Sequence, residues 1–172
     1  MTIERIQSGK EIVEREICPL SSLDEGKDVP LGRLVRYWFS LPRARGLVPD
    51  IETIGLTEMA RLGALGWFHV VDVHDENPKQ YCYDVFALKA GVGHQGIRIG
   101  DVPSKALQQS LEQDLLRAKG ISFPVFQDVR TTLTGHYREY RRIALPFTSG
   151  TDDITHLLQC ELLEKRLSLM NQ

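Results

Sequence analysis

The sequence predicts an α+β fold in which a five-stranded antiparallel sheet is preceded by an N-terminal helical extension. Three observations lead there. Two β-rich runs, LGWFHVVDVH and YCYDVFAL, are joined by the short turn DENPKQ and read as a hairpin. Three further strand-like runs follow residue 122 with short connections, which favours sequential antiparallel pairing. Between the two groups stands one helical stretch, so helices and strands are segregated rather than alternating as βαβ units.

Taken in order, Ser8 followed by Glu11 fits a capping box, and Val13 and Ile17 then lie one helical turn apart. This predicts a short helix that Pro19 ends. SSLDEGKD has linker composition, so residues 1–28 read as a helical extension, 29–167 as the main domain and 168–172 as a tail. After Pro30, the residues Leu31, Leu34, Val35, Trp38 and Phe39 form an apolar helical stripe that Pro42 closes. Thr57 to Arg61 adds a turn, and the strands at 65–74 and 81–88 follow. Ser104 opens SKALQQSLEQDLLRAKG, with Leu107, Leu111, Leu115 and Ala118 on one face and Gly120 as the stop. The last three strands are expected at 123–133, 137–147 and 154–163.

Composition narrows the function. The 172 residues hold about one domain, and 42% hydrophobic with 26% charged residues suits a chain that folds on its own. A net charge of −2, from 21 basic and 23 acidic residues, argues against nucleic-acid partners. Arg130, Arg138, Arg141 and Arg142 cluster, but Asp128 and Glu139 interrupt them, as on a solvated strand face. No stretch has signal-peptide or bilayer length, which predicts a cytoplasmic protein without an integral membrane segment. Cys18, Cys82 and Cys160 are odd in number and widely spaced, as buried thiols of a reducing compartment would be.

GVGHQG, residues 91–96, matches the glycine fingerprint of dinucleotide sites. Its surroundings argue otherwise. Gly96 is followed by IRIGDVP, a loop where the fingerprint requires a helix, and Glu112 or Asp114, at the distance of the ribose-binding acid, falls inside a helix. A flexible exit from the second strand of the hairpin is the better reading.

The element order resembles the PAS fold, and more closely a family of short bacterial single-domain PAS-like proteins without an attached output domain. The matching features are Tyr37 and Trp38 in the helix, VPDIETI before the first strand, the aromatic run YCYDVFAL, and RRIALPFTSGTDDITHLL with its Leu-Pro pair. Asp84 and Ala87 stand where that family carries an arginine-and-glycine signature. The resemblance implies helices on one face of the sheet, with a pocket between. It supplies no catalytic residues and no named cofactor.

Alternation then selects candidates for the pocket wall. Leu65, Trp67, His69, Val71 and Val73 share one phase, and Ile154, His156, Leu158, Cys160 and Leu162 share another. If the first and last of the five strands are neighbours, His69 and His156 come within reach. A histidine pair falls short of the three or four ligands of a metal site, and His74, His94 and His136 lie on other phases, so no metal is expected. Gln127 interrupts the series Phe123, Val125, Val129 and Leu133, and Tyr81, Tyr83 and Val85 share a phase. The ligand-binding candidates are Trp67, His69, Tyr83, Gln127 and His156.

No serine or threonine stands in a nucleophile elbow. The expected function is a stand-alone sensory or regulatory protein that binds a small molecule and signals by protein contact. The stripe with Leu34 and Trp38 would serve as its partner or homodimer surface. The alternatives are an adaptor with a filled pocket, or an enzyme using Glu139, unless a bulge turns that carboxylate outwards.

Overall fold

The computed structural model of the chain describes residues 3–43, 46–62, 68–85 and 96–168. Within them lie seven strands: β1 (Ile3–Ser8), β2 (Glu11–Cys18), β3 (Phe68–Asp72), β4 (Cys82–Val85), β5 (Val125–Leu133), β6 (His136–Phe147) and β7 (His156–Ser168). They make one antiparallel sheet in the order β1-β2-β5-β6-β7-β3-β4. Its α-helices are α1 (Val29–Ser40), α2 (Leu56–Arg61) and α3 (Lys105–Lys119). Among the described residues no helix is long and apolar enough to cross a membrane.

Seven strands overturn the five-stranded PAS-like sheet, and the difference begins at the N-terminus. Residues 3–18 form a hairpin, not a helix. Ser8 pairs with Glu11 across the two-residue turn Gly9–Lys10. Gly9 takes φ +60, and Lys10 is not among the positive-φ residues, the pattern of a type II′ turn that keeps the strands' twist. β2 continues the sheet by pairing with β5 from Ile12–Thr132 to Cys18–Phe126. Residues 3–18 are therefore built into the sheet rather than appended to it.

The expectation of helices on one face fails as well. On β6, Arg142 pairs with Asp114 of α3, whereas its neighbour Arg141 pairs with Asp28 at the N-terminus of α1. Successive strand residues point to opposite faces, so these contacts lie on opposite sides of the sheet. Arg142 through Phe147 are all buried, as a central strand covered on both faces must be.

α1 forms where Pro30 sits in its first turn. Its stripe faces inwards: Leu31, Leu34 and Trp38 are at most 1% exposed, and the Trp38 indole N–H donates to the Pro146 carbonyl at 2.8 Å. This corrects the expectation that Leu34 and Trp38 form a partner surface. α3 starts at Ser104, whose hydroxyl accepts from the Leu107 amide at 3.2 Å, and its Leu111, Leu115 and Ala118 are buried. The Glu11 carboxylate accepts from the same Ser104 hydroxyl at 2.8 Å. The residue that suggested a capping box thus braces the start of a different helix.

β3 and β7, the first and last of the five strands expected from the sequence, are hydrogen-bonded neighbours. Gly91, Gly93 and His94 lie outside the described residues. Gly96, at φ +86, donates its amide to the Tyr83 carbonyl, and Tyr83 donates back to Ile97. The chain after Gly96 runs beside β4 and then enters a 3-10 turn at Ile99–Asp101, so no helix opens at the third glycine of the motif.

Candidate functional site

On the α3 side of the sheet, charged and polar side chains replace the apolar packing expected of a core. Arg142 donates to Gln127 Oε1 through Nε at 3.2 Å and Nη2 at 2.9 Å, and pairs with Asp114. Gln127 Nε2 donates to Asp114 Oδ1 at 2.9 Å. Arg15 of β2 reaches the same carboxylate at 2.9 Å and donates to the Ser110 carbonyl at 2.8 Å. Arg15 Nε meets Glu4 Oε2 at 2.9 Å, and Arg117 Nη2 meets Glu4 Oε1 at 2.7 Å. Arg15, Gln127 and Arg142 are at most 2% exposed, so the inner part of this network is held out of water, while Glu4 and Arg117 carry it to the surface.

Burial works against the charge of Arg142, but the carboxylates of Asp114 and Glu161 hold its pKa above the ordinary arginine value. The guanidinium stays charged. Gln127, expected as a ligand contact, has its oxygen and nitrogen both engaged by Arg142 and Asp114. Its role in this geometry is to orient the arginine.

The network continues across the sheet as a row. Arg142 is directly opposite Gln127 on β5 and Glu161 on β7, and His69 on β3 is opposite Gln159 of β7. Tyr83 on β4 is opposite Val71, and its ring meets that of His69 edge-on at 5.6 Å. His69 Nε2 lies 4.0 Å from Glu161 Oε2, whose side chain is 30% exposed. The row therefore runs from a buried cation to a carboxylate at the surface.

Burial sets the protonation states here. It pushes the His69 pKa below its ordinary 6.5, with Glu161 opposing in part and Arg142 adding to the fall. It pushes the Tyr83 and Tyr140 hydroxyls up, so both remain neutral phenols. The corner combines the buried neutral imidazole of His69, the phenols of Tyr83 and Tyr140 and the buried Arg142 cation with one part-exposed acid, Glu161.

A depressed histidine pKa has a stability consequence with a definite sign. The unfolded imidazole titrates near 6.5 and the folded one lower, so the unfolded state binds more protons between those values. The contribution of His69 is complete above pH 6.5 and is lost as pH falls, at up to about 1.4 kcal/mol per pH unit. Urea unfolding between pH 5 and 8 should show a shallower pH slope for His69→Leu than for wild type. Parallel slopes would contradict the assignment.

Trp67 lies outside the described residues. His156 falls on the opposite face from His69: it pairs with Asp72, three steps along β7 from the Gln159–His69 pair, and an odd step reverses the face. The two histidines do not converge. Instead His156 Nε2 lies 3.5 Å from Asp84 Oδ2, its ring meets that of His74 at 5.2 Å, and His74 Nδ1 is 2.7 Å from Asp72 Oδ1. The sequence separates His156 from Asp72 and Asp84 by strand and turn, and does not pair them. Here both converge on it.

Glu139, the candidate acid of the enzyme reading, receives the Tyr137 hydroxyl and sits opposite Arg130 and Lys165. The register does shift between Glu139 and Tyr140, but the extra residue is Glu164 on β7, because Lys165 and Leu163 are the successive partners. No family model, no curated protein and no solved structure matches the chain.

Proposed function

We propose that the protein is a small non-catalytic binding module with a sensory or regulatory role, which recognises a small molecule at the His69–Tyr83–Glu161 corner and transmits its state by protein contact. The supporting observation is convergence: His69, Tyr83, Arg142 and Glu161 come from four adjacent strands onto one face. Arg142 is held by Gln127 and Asp114, so the corner is rigid on its inner side, as binding without large ordering costs requires.

A second reading is an adaptor that binds only protein. It is favoured by Phe39 and Phe123, which are 45% and 49% exposed and meet at 5.5 Å beside the buried Trp38. Arg43 lies over the Trp38 ring at 4.6 Å. Aromatics capped by arginine are the composition of interface centres.

Native mass spectrometry of purified protein separates the two. The binding module retains a co-purified small molecule in wild type and loses it on His69→Leu, while Phe39→Ser retains it. Wild-type protein of strictly apo mass that no compound library stabilises against heat would leave the adaptor reading standing.

A further inference from the structure

The other face of the same sheet carries a second cluster, at the end where β7, β3 and β4 lie side by side. Asp72 ends β3 and His74 follows it by two residues. His156 opens β7 directly opposite Asp72. One ligand atom from each of Asp72, His74 and His156 falls within 4.8 Å of the others. Asp84 joins them through its 3.5 Å approach to His156 Nε2.

Local structure aims these groups. Val70 pairs with Val85 and Val71 with Tyr83, so Asp84 is the extra residue of a bulge on β4. A bulge re-aims a side chain that regular pleating would place elsewhere. Thr155 Oγ1 lies 2.9 Å from His156 Nδ1, which leaves Nε2, the atom near Asp84, as the outward nitrogen. Asp72 Oδ1 takes both the backbone amide and the ring Nδ1 of His74, at 2.8 and 2.7 Å. Lys119 donates to the Asp75 carbonyl at 2.9 Å and holds the loop that presents His74. A hydrogen bond such as that of Thr155 to one ring nitrogen fixes which imidazole nitrogen faces a metal.

We propose that Asp72, His74, His156 and Asp84 form a binding site for one divalent transition-metal ion of the zinc class. Ligands about 2.05 Å from a tetrahedral ion lie about 3.4 Å from one another. The His156–Asp84 separation already matches, and the remaining contacts need movements of the Asp72 and His74 side chains, which are about half exposed. Two neutral imidazoles with two carboxylates neutralise a divalent charge. Nitrogen donors select zinc, cobalt or nickel over calcium and magnesium. The ion would tie the loop after β3 to β4 and β7.

The test uses tag-free full-length protein stripped with a chelator, titrated with Zn2+ by calorimetry and with Co2+ by visible absorption. One equivalent should bind, with the intense d–d bands of tetrahedral cobalt, and Zn2+ should raise the thermal midpoint where Ca2+ and Mg2+ do not. His74→Gln and Asp84→Asn, at side chains about half exposed, should each weaken binding by about ten-fold or more without altering the circular dichroism. Less than one equivalent bound, or wild-type affinity in both variants, would overturn the site. A sulfur-to-cobalt charge-transfer band would do the same, since it would assign the ion to a thiol such as Cys82.

Discussion

Asp114→Ala should cost about 3–5 kcal/mol of folding stability, the usual penalty for removing one partner of a buried ion pair. The reason is geometric. Asp114 is the shared acceptor of Arg15, Arg142 and Gln127, so its loss leaves two guanidinium groups that are at most 2% exposed without their common counter-charge. For a chain of this length the thermal midpoint should fall by roughly 6–20 °C. Asp114→Asn keeps a hydrogen-bonding oxygen and should fall between the two. A combined replacement of Asp114 by Leu with Arg15 and Arg142 by Met removes all three charges, and should recover most of the loss, because apolar groups of similar volume replace such networks at little cost. A loss below about 1 kcal/mol for Asp114→Ala would show the arginines to be solvated, contrary to their burial.

The same network shows what the sequence discloses and what it withholds. Asp114 stands three residues after Leu111 and seven after Leu107, squarely on the apolar stripe of its helix. A carboxylate there needs a buried cation, and that signal was readable. Which cation answers it was not. Arg141 and Arg142 are adjacent in sequence, and only the strand's phase sends one to Asp28 and the other to Asp114. Strand phase also assigns faces correctly only where a single face is buried. RRIALPF and HLLQC are nearly continuous apolar runs, the mark of strands covered on both sides, and alternation alone cannot tell which helix each residue meets. Hence alternation alone brings His69 and His156 together, although the register sets them on opposite faces.

The helices fared better because their boundaries are chemical. Pro30, Ser104 and Gly120 act through backbone geometry and capping, whatever the tertiary context. The N-terminal segment had no such punctuation. Val13 and Ile17 are four apart, an interval that is one helical turn and also an even number of strand steps. Arg15 tips the sequence towards the helix, because its charge is answered by Asp114 only in the fold. In a helix it would lie off the Val13–Ile17 face; in a strand it lies on it, and in the fold it is buried against α3.

The largest effect should come from deleting residues 1–18. An appended helix could be removed with little consequence. A hairpin hydrogen-bonded to β5 from Ile12 to Cys18 cannot, because its loss turns an interior strand into an exposed edge. It also removes Val13, which packs with Ala106 and Val129, together with the Arg15–Asp114 pair, the Glu4–Arg117 pair and the Glu11 brace on Ser104. Burial of one valine and disruption of one buried pair together amount to about 5 kcal/mol or more, comparable with the whole stability of many domains. The shortened chain should therefore unfold at least about 10 °C below the full one, or fail to unfold cooperatively, and it should self-associate through the uncovered edge. Arg15→Met in the full chain separates the contributions: it keeps the strand and removes only the cation, so its loss should be smaller and its solubility normal. A truncated protein that melts within about 2 °C of wild type would mean that the sheet is complete without β1 and β2.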